Sequence, residues 1–151
     1  MSLLKKIGFI TLVVFVGIQL IPTKRNQNDE VSENDLTKNF DVPENIQNSL
    51  KKSCYDCHSN NTNYPWYNKV QPISWMLENH INEGKSVLNF NEFGTYSKRK
   101  QKNKLRSIRN QIEDGEMPLY SYTLMHSNAK LSENEKTEIF NWVDKMYDSL
   151  K

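Results

Sequence analysis

Two cysteines and a histidine lie close together in the sequence. Cys54 and Cys57 are separated by two residues and His58 follows directly, which gives the pattern C-x-x-C-H. Two thiols one helical turn apart can each form a thioether with a vinyl group on one porphyrin edge, and the adjoining imidazole can then ligate the iron. The pattern is the attachment signature of c-type haem. It predicts one covalent haem c, bound through Cys54 and Cys57, with His58 as an axial ligand of the iron.

A C-x-x-C pair also occurs in dithiol redox sites and in zinc sites. The chain contains 2 Cys and 3 His, so a closed zinc site would have to recruit His80 or His126 from distant parts of the sequence. The histidine directly after the second cysteine favours haem over both alternatives. Dithiol exchange and metal binding remain the alternatives for this motif.

The sixth ligand of a haem iron decides whether the protein carries electrons or binds small molecules. Met117 is the favoured candidate, because it follows a helix stop at Gly115 and precedes Pro118, which keeps the chain out of a helix and lets the thioether be held over the iron. A packing role is the alternative for Met117. The other candidate ligands are His80, on the apolar face of a predicted helix, and His126, in the same loop as Met117. An open or water-filled position is the remaining alternative.

Three residues shortly after the motif are predicted to contact the cofactor. Pro65, Trp66 and Tyr67 would supply a rigid turn and aromatic rings against the porphyrin, and the polar tips of the rings could reach a propionate. Trp142, near the C-terminus, is predicted to be an ordinary core residue.

Four amphipathic helices are predicted to position these residues, and no strand-like alternation competes with them. They cover residues 43–52, residues 72–82 with Gly84 as the stop, residues 97–114 closed by Gly115, and the segment from a Ser132 and Glu135 capping box to the C-terminus. The predicted fold class is therefore all-α, a cytochrome c-like helical domain wrapped around one haem.

The length of 151 residues allows one domain and an appendage. Residues 1–22 carry Lys5 and Lys6 before an apolar run that lacks a small-residue cleavage site, which predicts an uncleaved transmembrane signal anchor, with a removed signal peptide as the alternative. Residues 23–40 are polar and aperiodic and are predicted to be a flexible linker. Residues 41–151 would form the haem domain.

The residues around the motif resemble those of a known family. The resemblance rests on the combination of C-x-x-C-H-S, P-W-Y and M-P-x-x-x-Y, which is more selective than any one of them. The matching residues are Cys54, Cys57, His58, Ser59, Thr62, Pro65, Trp66, Tyr67, Pro72, Ser74, Trp75, His80, Gly84, Asn89, Phe90, Gly115, Met117, Pro118, Tyr122, His126, Ala129, Leu131, Glu135 and Trp142. Over residues 41–144 the chain is similar to the bacterial single-haem haem-binding domain family of exported or membrane-anchored, cytochrome-like proteins.

This resemblance implies haem c and an extracytoplasmic location, and it adds Tyr122 to the candidate cofactor-binding residues. One departure is Phe93, where the family more often has Trp. Covalent haem attachment takes place outside the cytoplasm. The haem domain is therefore predicted to lie on the periplasmic or extracytoplasmic side of the cell membrane, on a single-pass anchor.

The charge pattern indicates where a partner could dock. The whole chain is nearly neutral, with 20 Lys+Arg against 18 Asp+Glu, and a nucleic-acid partner is not expected. Residues 98–109 contain no acid and seven basic side chains, which are Lys98, Arg99, Lys100, Lys102, Lys104, Arg106 and Arg109. They predict either a solvated helix face or a docking site for an acidic redox partner or anionic lipid.

The sequence thus predicts a protein that binds haem c covalently and transfers single electrons in the cell envelope, an electron carrier rather than an enzyme. A haem sensor or peroxidase-like protein with an open sixth position is the alternative. Another is a structural module in which the haem chiefly stabilises a weak core.

Overall fold

The computed structural model describes residues 2–28, 30 and 32–150, and within these residues there are helices and no strands. This confirms the all-α fold class. The α-helices are α1 Leu3–Ile18, α2 Leu36–Asn39, α3 Glu44–Ser53, α4 Tyr55–His58, α5 Ile73–Val87, α6 Lys98–Glu113, α7 Tyr120–Met125 and α8 Glu133–Ser149. Short 3-10 helices lie at Trp66–Lys69, Phe90–Thr95 and Ser127–Ala129.

The core lies between α3, α6 and α8, which bury the apolar faces that the sequence predicts. Helix α6 packs against α8, and α3 packs against α8. The buried apolar side chains of these helices are Ile46, Leu50, Leu105, Ile108, Ile112, Ile139, Trp142, Val143 and Met146. The indole nitrogen of Trp142 donates a hydrogen bond to the carbonyl oxygen of Asp41 over 3.3 Å, which confirms Trp142 as a core residue.

Helix α1 leaves all its side chains at least partly exposed. It has 16 residues and ends at Ile18. In the part of the chain that the structure describes, no helix is both long and apolar enough to cross a membrane. The transmembrane helix expected within residues 1–22 is therefore not found.

The segment 23–40 contacts the helical domain, which its polar composition did not indicate. Leu36 of α2 is fully buried in the core. The side-chain amide of Asn26 donates hydrogen bonds to the carbonyl oxygen of Ser59 and to the hydroxyl of Thr62, both over 2.9 Å. The carbonyl of Asn26 also accepts a hydrogen bond from the amide of Thr62 over 2.9 Å. Polar contacts to the loop after the cysteine motif thus hold a segment that has little apolar surface to bury.

Helix α8 begins at the predicted capping box, and this box is joined to α3. The side chain of Ser132 accepts a hydrogen bond from the amide of Glu135, and the carboxylate of Glu135 accepts one from the amide of Ser132. Lys52 of α3 donates to the same carboxylate over 2.5 Å. The hydrogen bond from Lys52, followed by that from Ser132, lowers the pKa of Glu135 to about 2.

We expect Glu135 to make stability depend on pH. Its pKa is lower in the folded state than the ordinary value of 4.5, so its contribution is fully present above that value and is lost as the pH falls towards 2. Glu135→Gln keeps the capping geometry and removes the charge. The variant should be less stable than the wild-type chain at pH 7, and the difference should shrink steadily as the pH falls from 4.5 to 2.5, as measured by urea unfolding across this range.

Glu133→Gln is the matched control, because its carboxylate lies in the same first turn, 89% exposed, and pairs with Lys136. It should change stability little at any pH. A difference between Glu135→Gln and wild type that stays constant down to pH 2.5 would contradict the expectation.

Candidate functional site

The cysteine motif forms a short helix of its own. Helix α3 ends at Ser53, and α4 begins at Tyr55. Cys54, between them, has non-helical backbone angles and thus separates the two helices. The carbonyl of Cys54 accepts hydrogen bonds from the amides of Cys57 and His58, over 3.2 and 3.0 Å. This single turn therefore includes both cysteines and the histidine.

Helix α5 supports the motif through a close backbone contact at Gly84. A Cβ atom built on Gly84 would lie 2.7 Å from the carbonyl oxygen of Cys57 and 3.3 Å from its Cβ. The prediction that a helix ends at Gly84 is wrong, because α5 continues to Val87. The glycine is needed for the approach of α4 to α5 and not for a helix end.

We expect Gly84→Ala to destabilise the chain by about 1–2 kcal/mol, because the clash with the backbone of Cys57 exceeds the gain of ~1 kcal/mol that alanine brings to a helix. Urea unfolding of the unloaded chain measures the change. Gly17→Ala in α1 is the control, since nothing lies within 4 Å of its Cβ position. Equal stability of the two variants would show that the contact at Gly84 is not restrictive.

A cleft in two adjoining parts, of about 350 and 340 Å³, opens beside the motif. Six residues line both parts: Ser53, Cys54, His58, Val87, Gln111 and Met117. One part is also lined by Cys57, His80, Glu83, Gly84, Pro118, Leu119 and Tyr122, and we call it the thiol end. The other part is also lined by Leu88, Phe90, Lys104, Ser107, Ile108 and Ile112, and we call it the α6 end.

The cleft fits a flat apolar cofactor with two attachment points. Each part alone is within the range of about 300–1,000 Å³ that small-molecule sites occupy. Val87 lines both parts while 58% exposed, so an apolar side chain is available for a ligand to cover. Thiol, imidazole and thioether groups meet in this one cleft, which is the donor set that a c-type haem uses.

The two thiols are protonated at neutral pH. Burial raises the pKa of Cys54 to about 12, and the nearby Cys57 adds to the shift. Burial, with the negative charge of Asp56, raises the pKa of Cys57 to about 11. Dithiol exchange depends on a thiolate, whose formation requires a lowered pKa. The electrostatics of the pair are therefore unfavourable for a dithiol redox site.

His58 is held in one orientation by the backbone that follows α5. Its Nδ1 lies 3.0 Å from the carbonyl oxygen of Leu88. Since a carbonyl only accepts, Nδ1 carries the proton and donates it, and Nε2 is left as the basic nitrogen. Burial also lowers the pKa of the imidazole. A neutral ring with a fixed tautomer is the form in which histidine ligates a metal.

Met117 reaches the cleft because the chain turns back after α6. Gly115 has a positive φ of 74°, and the amides of Glu116 and Met117 both donate to the carbonyl of Gln111 over 3.0 Å. Glycine is the residue that adopts this left-handed conformation without strain. The turn returns the chain alongside the last turn of α6, where Met117 lines both parts of the cleft together with His58.

The other candidate ligands occupy different places. His80 lines the thiol end of the cleft. His126 belongs to a separate surface pocket, with its Nδ1 3.2 Å from the carbonyl of Tyr122 and its ring stacked on the ring of Tyr122 at 4.4 Å. Its Nε2 lies 3.5 Å from the hydroxyl of Tyr67. The structure thus brings His80 and Met117 to the cleft and leaves His126 outside the residues that line it.

Of the four other residues predicted to contact a cofactor, one lines the cleft. Tyr122 lies at the thiol end, whereas Pro65, Trp66 and Tyr67 are not among the described residues that line either part. Trp66 is 77% exposed, and its ring packs edge-on against Tyr67. The turn predicted to cover a porphyrin therefore lies on the surface beside the cleft.

Asp56, between the two cysteines, has a role that its place in the sequence does not indicate. Its carboxylate accepts hydrogen bonds from the hydroxyl of Tyr122 over 2.6 Å and from the amide of Asn63 over 3.0 Å. Tyr122 follows Met117 by five residues, so this carboxylate ties the motif to the segment that carries the methionine. The only sequence signal was the position of an acid inside the C-x-x-C pair.

The described part of the chain contains no group of three or more His, Cys, Asp or Glu side chains arranged to hold a metal ion.

The comparisons with known proteins agree with the geometry of the cleft. No curated protein matches the chain, and no solved structure does. A family model described as a haem-binding domain matches residues 13–145, which is most of the chain and includes every residue of the cleft. The chain therefore belongs to the haem-binding domain family.

Proposed function

We propose that the protein binds one haem c through Cys54 and Cys57 and transfers single electrons, with His58 and Met117 as the axial ligands of the iron. Membership of the family supports haem as the cofactor. The observation that carries the proposal is that both thiols, the oriented imidazole and the thioether line one cleft.

Covalent attachment at Cys54 and Cys57 requires only the thiols and the vinyl groups. Each cysteine would add its S–H across one vinyl double bond, the sulfur bonding to the vinyl carbon next to the ring and the proton going to the terminal carbon. The step forms one C–S bond and one C–H bond, and it breaks the S–H bond and the π bond of the vinyl group. It therefore consumes no oxidant. The backbone contact at Gly84 supports the turn that presents the second thiol.

The axial residues favour electron transfer over substrate chemistry. A bound haem supplies a one-electron iron couple. Nε2 of His58 would close one axial position, and the neutral thioether of Met117 would close the other without a proton to manage. With both positions closed, no side of the iron is left for a substrate, and only electrons pass.

The optical spectrum of the purified, loaded protein, with and without CO, tests the proposal. We expect low-spin ferric haem with a sulfur-to-iron charge-transfer band at the red end of the spectrum, and no rapid CO binding to the reduced form. High-spin ferric haem or ready CO binding would overturn electron transfer in favour of a sensor or peroxidase-like function with an open sixth position.

We also propose that α1 attaches the haem domain to the extracytoplasmic side of the cell membrane. Its apolar side chains are exposed, among them Leu4 at 80% and Phe9 at 62%. Covalent haem attachment requires the exported side. Full-length protein should stay with the membrane fraction through alkaline carbonate washing, and a chain lacking residues 2–18 should be released. Release of the full-length protein would contradict membrane attachment and leave haem binding untouched.

A further inference from the structure

The two ends of the cleft carry opposite charges. The thiol end is lined by the carboxylate of Glu83, which accepts a hydrogen bond from the side chain of Asn79 over 2.8 Å. The α6 end is lined by Lys104 and by no acidic side chain of the described residues. An anionic group on a ligand would therefore be repelled at the thiol end and attracted at the α6 end.

Lys104 differs from Lys100 and Lys102 of the same helix in having no partner among the described residues. Lys100 lies 3.6 Å from the ring centroid of Tyr96, and Lys102 lies 4.9 Å from that of Tyr147. Lys104 is only partly exposed, yet it makes no hydrogen bond, ion pair or ring contact with the residues that the structure describes. A partly buried lysine that borders an apolar cleft can pair with an anionic group of a ligand.

Two further polar side chains line the α6 end of the cleft beside Lys104. Ser107 and Gln111 follow Lys104 by three and seven residues, which places all three on one face of α6, and both line the cleft. Gln111 lines both parts. The wall opposite the thiols thus presents an ammonium, a hydroxyl and an amide, all of which can donate hydrogen bonds.

We propose that Lys104 binds a propionate carboxylate of the haem, with the hydroxyl of Ser107 as a second donor. The inference rests on the proposed function, because haem attachment requires the vinyl edge of the ring to lie beside Cys54 and Cys57, at the thiol end, before any thioether bond forms. The propionates extend from the ring away from the vinyl groups, so their carboxylates fall towards the α6 end. Lys104 then adds to the affinity of the cleft for haem.

The test compares two ligands that differ only in the propionates. The unloaded full-length chain, with its cysteines reduced, is titrated with ferric haem and with ferric haem dimethyl ester in the same detergent buffer, and the dissociation constants are measured by absorbance. Wild type should bind haem about fivefold more tightly than the ester, the size expected of a partly exposed ion pair. Lys104→Met should lose this preference while its affinity for the ester stays at the wild-type value.

Lys102→Met is the matched control, because it removes a cation from the same helix at a position that does not line the cleft. It should keep the full preference for haem. Equal losses for Lys104→Met and Lys102→Met, or an unchanged preference in Lys104→Met, would overturn the role of Lys104. Failure of wild type to bind either ligand would overturn haem binding itself, and the propionate site with it.

Discussion

A chain carrying both Cys54→Ala and Cys57→Ala should lose all of its haem on denaturation, whereas the wild-type chain should keep it. Thioether bonds survive unfolding, but axial ligation to His58 and packing in the cleft do not. Mass spectrometry of denatured protein from cells that attach haem c measures the difference directly, as the presence or absence of the haem mass on the polypeptide.

The single variants and one other substitution serve as controls for this experiment. Each single variant keeps one thiol in the cleft and should retain haem through one bond, at reduced yield. Met117→Ala leaves both thiols in place and should retain haem fully. If an alkylating reagent modifies both Cys54 and Cys57 in the mature wild-type protein, the thiols are free and covalent attachment is contradicted.

Met117→Ala should convert the ferric haem from low-spin to high-spin or water-ligated and should allow CO to bind. The midpoint potential should fall on the order of 0.1 V, within the ~0.8 V range over which axial ligands set haem potentials. The physical reason is that the methionine lines both parts of the cleft together with His58, and that alanine leaves nothing there to reach the iron.

His80→Ala and His126→Ala are the matched variants. His126 lies in a separate pocket beside Tyr67, so His126→Ala should leave the low-spin spectrum unchanged. His80 lines the thiol end, so it is the stronger rival. If the low-spin spectrum survives in Met117→Ala and is lost in His80→Ala, the sixth ligand of the iron is His80 and not Met117.

The sequence predicted the elements whose signals are local. The helices around Leu50, Ile108 and Val143 follow from apolar spacing, and the capping box of α8 follows from Ser132 and Glu135. The donor set of the cleft could be predicted because the spacing of the motif and the context of Met117 both lie within a few residues.

Features that depend on distant contacts could not be predicted in this way. Gly84 is indistinguishable from a helix stop until the backbone of Cys57 is placed against it. The hydrogen bond between Asp56 and Tyr122 joins residues 66 positions apart. The exposed position of Trp66 also depends on packing, because an aromatic ring near a haem motif fits a cofactor wall and a surface turn equally well in sequence.

The contacts of Gln19 bear on the direction in which electrons could leave the haem. Its side chain donates to the carbonyl of Gln71 and accepts from the amide of the same residue, over 3.2 and 2.9 Å. These bonds begin one residue after α1 ends, and Asn26 adds its own contacts to Thr62 shortly afterwards. The chain directly after α1 is thus bonded to the haem-binding domain. Under the proposed membrane attachment, the surface that holds α1 would also set the tilt of the cleft and select which of its edges a redox partner meets.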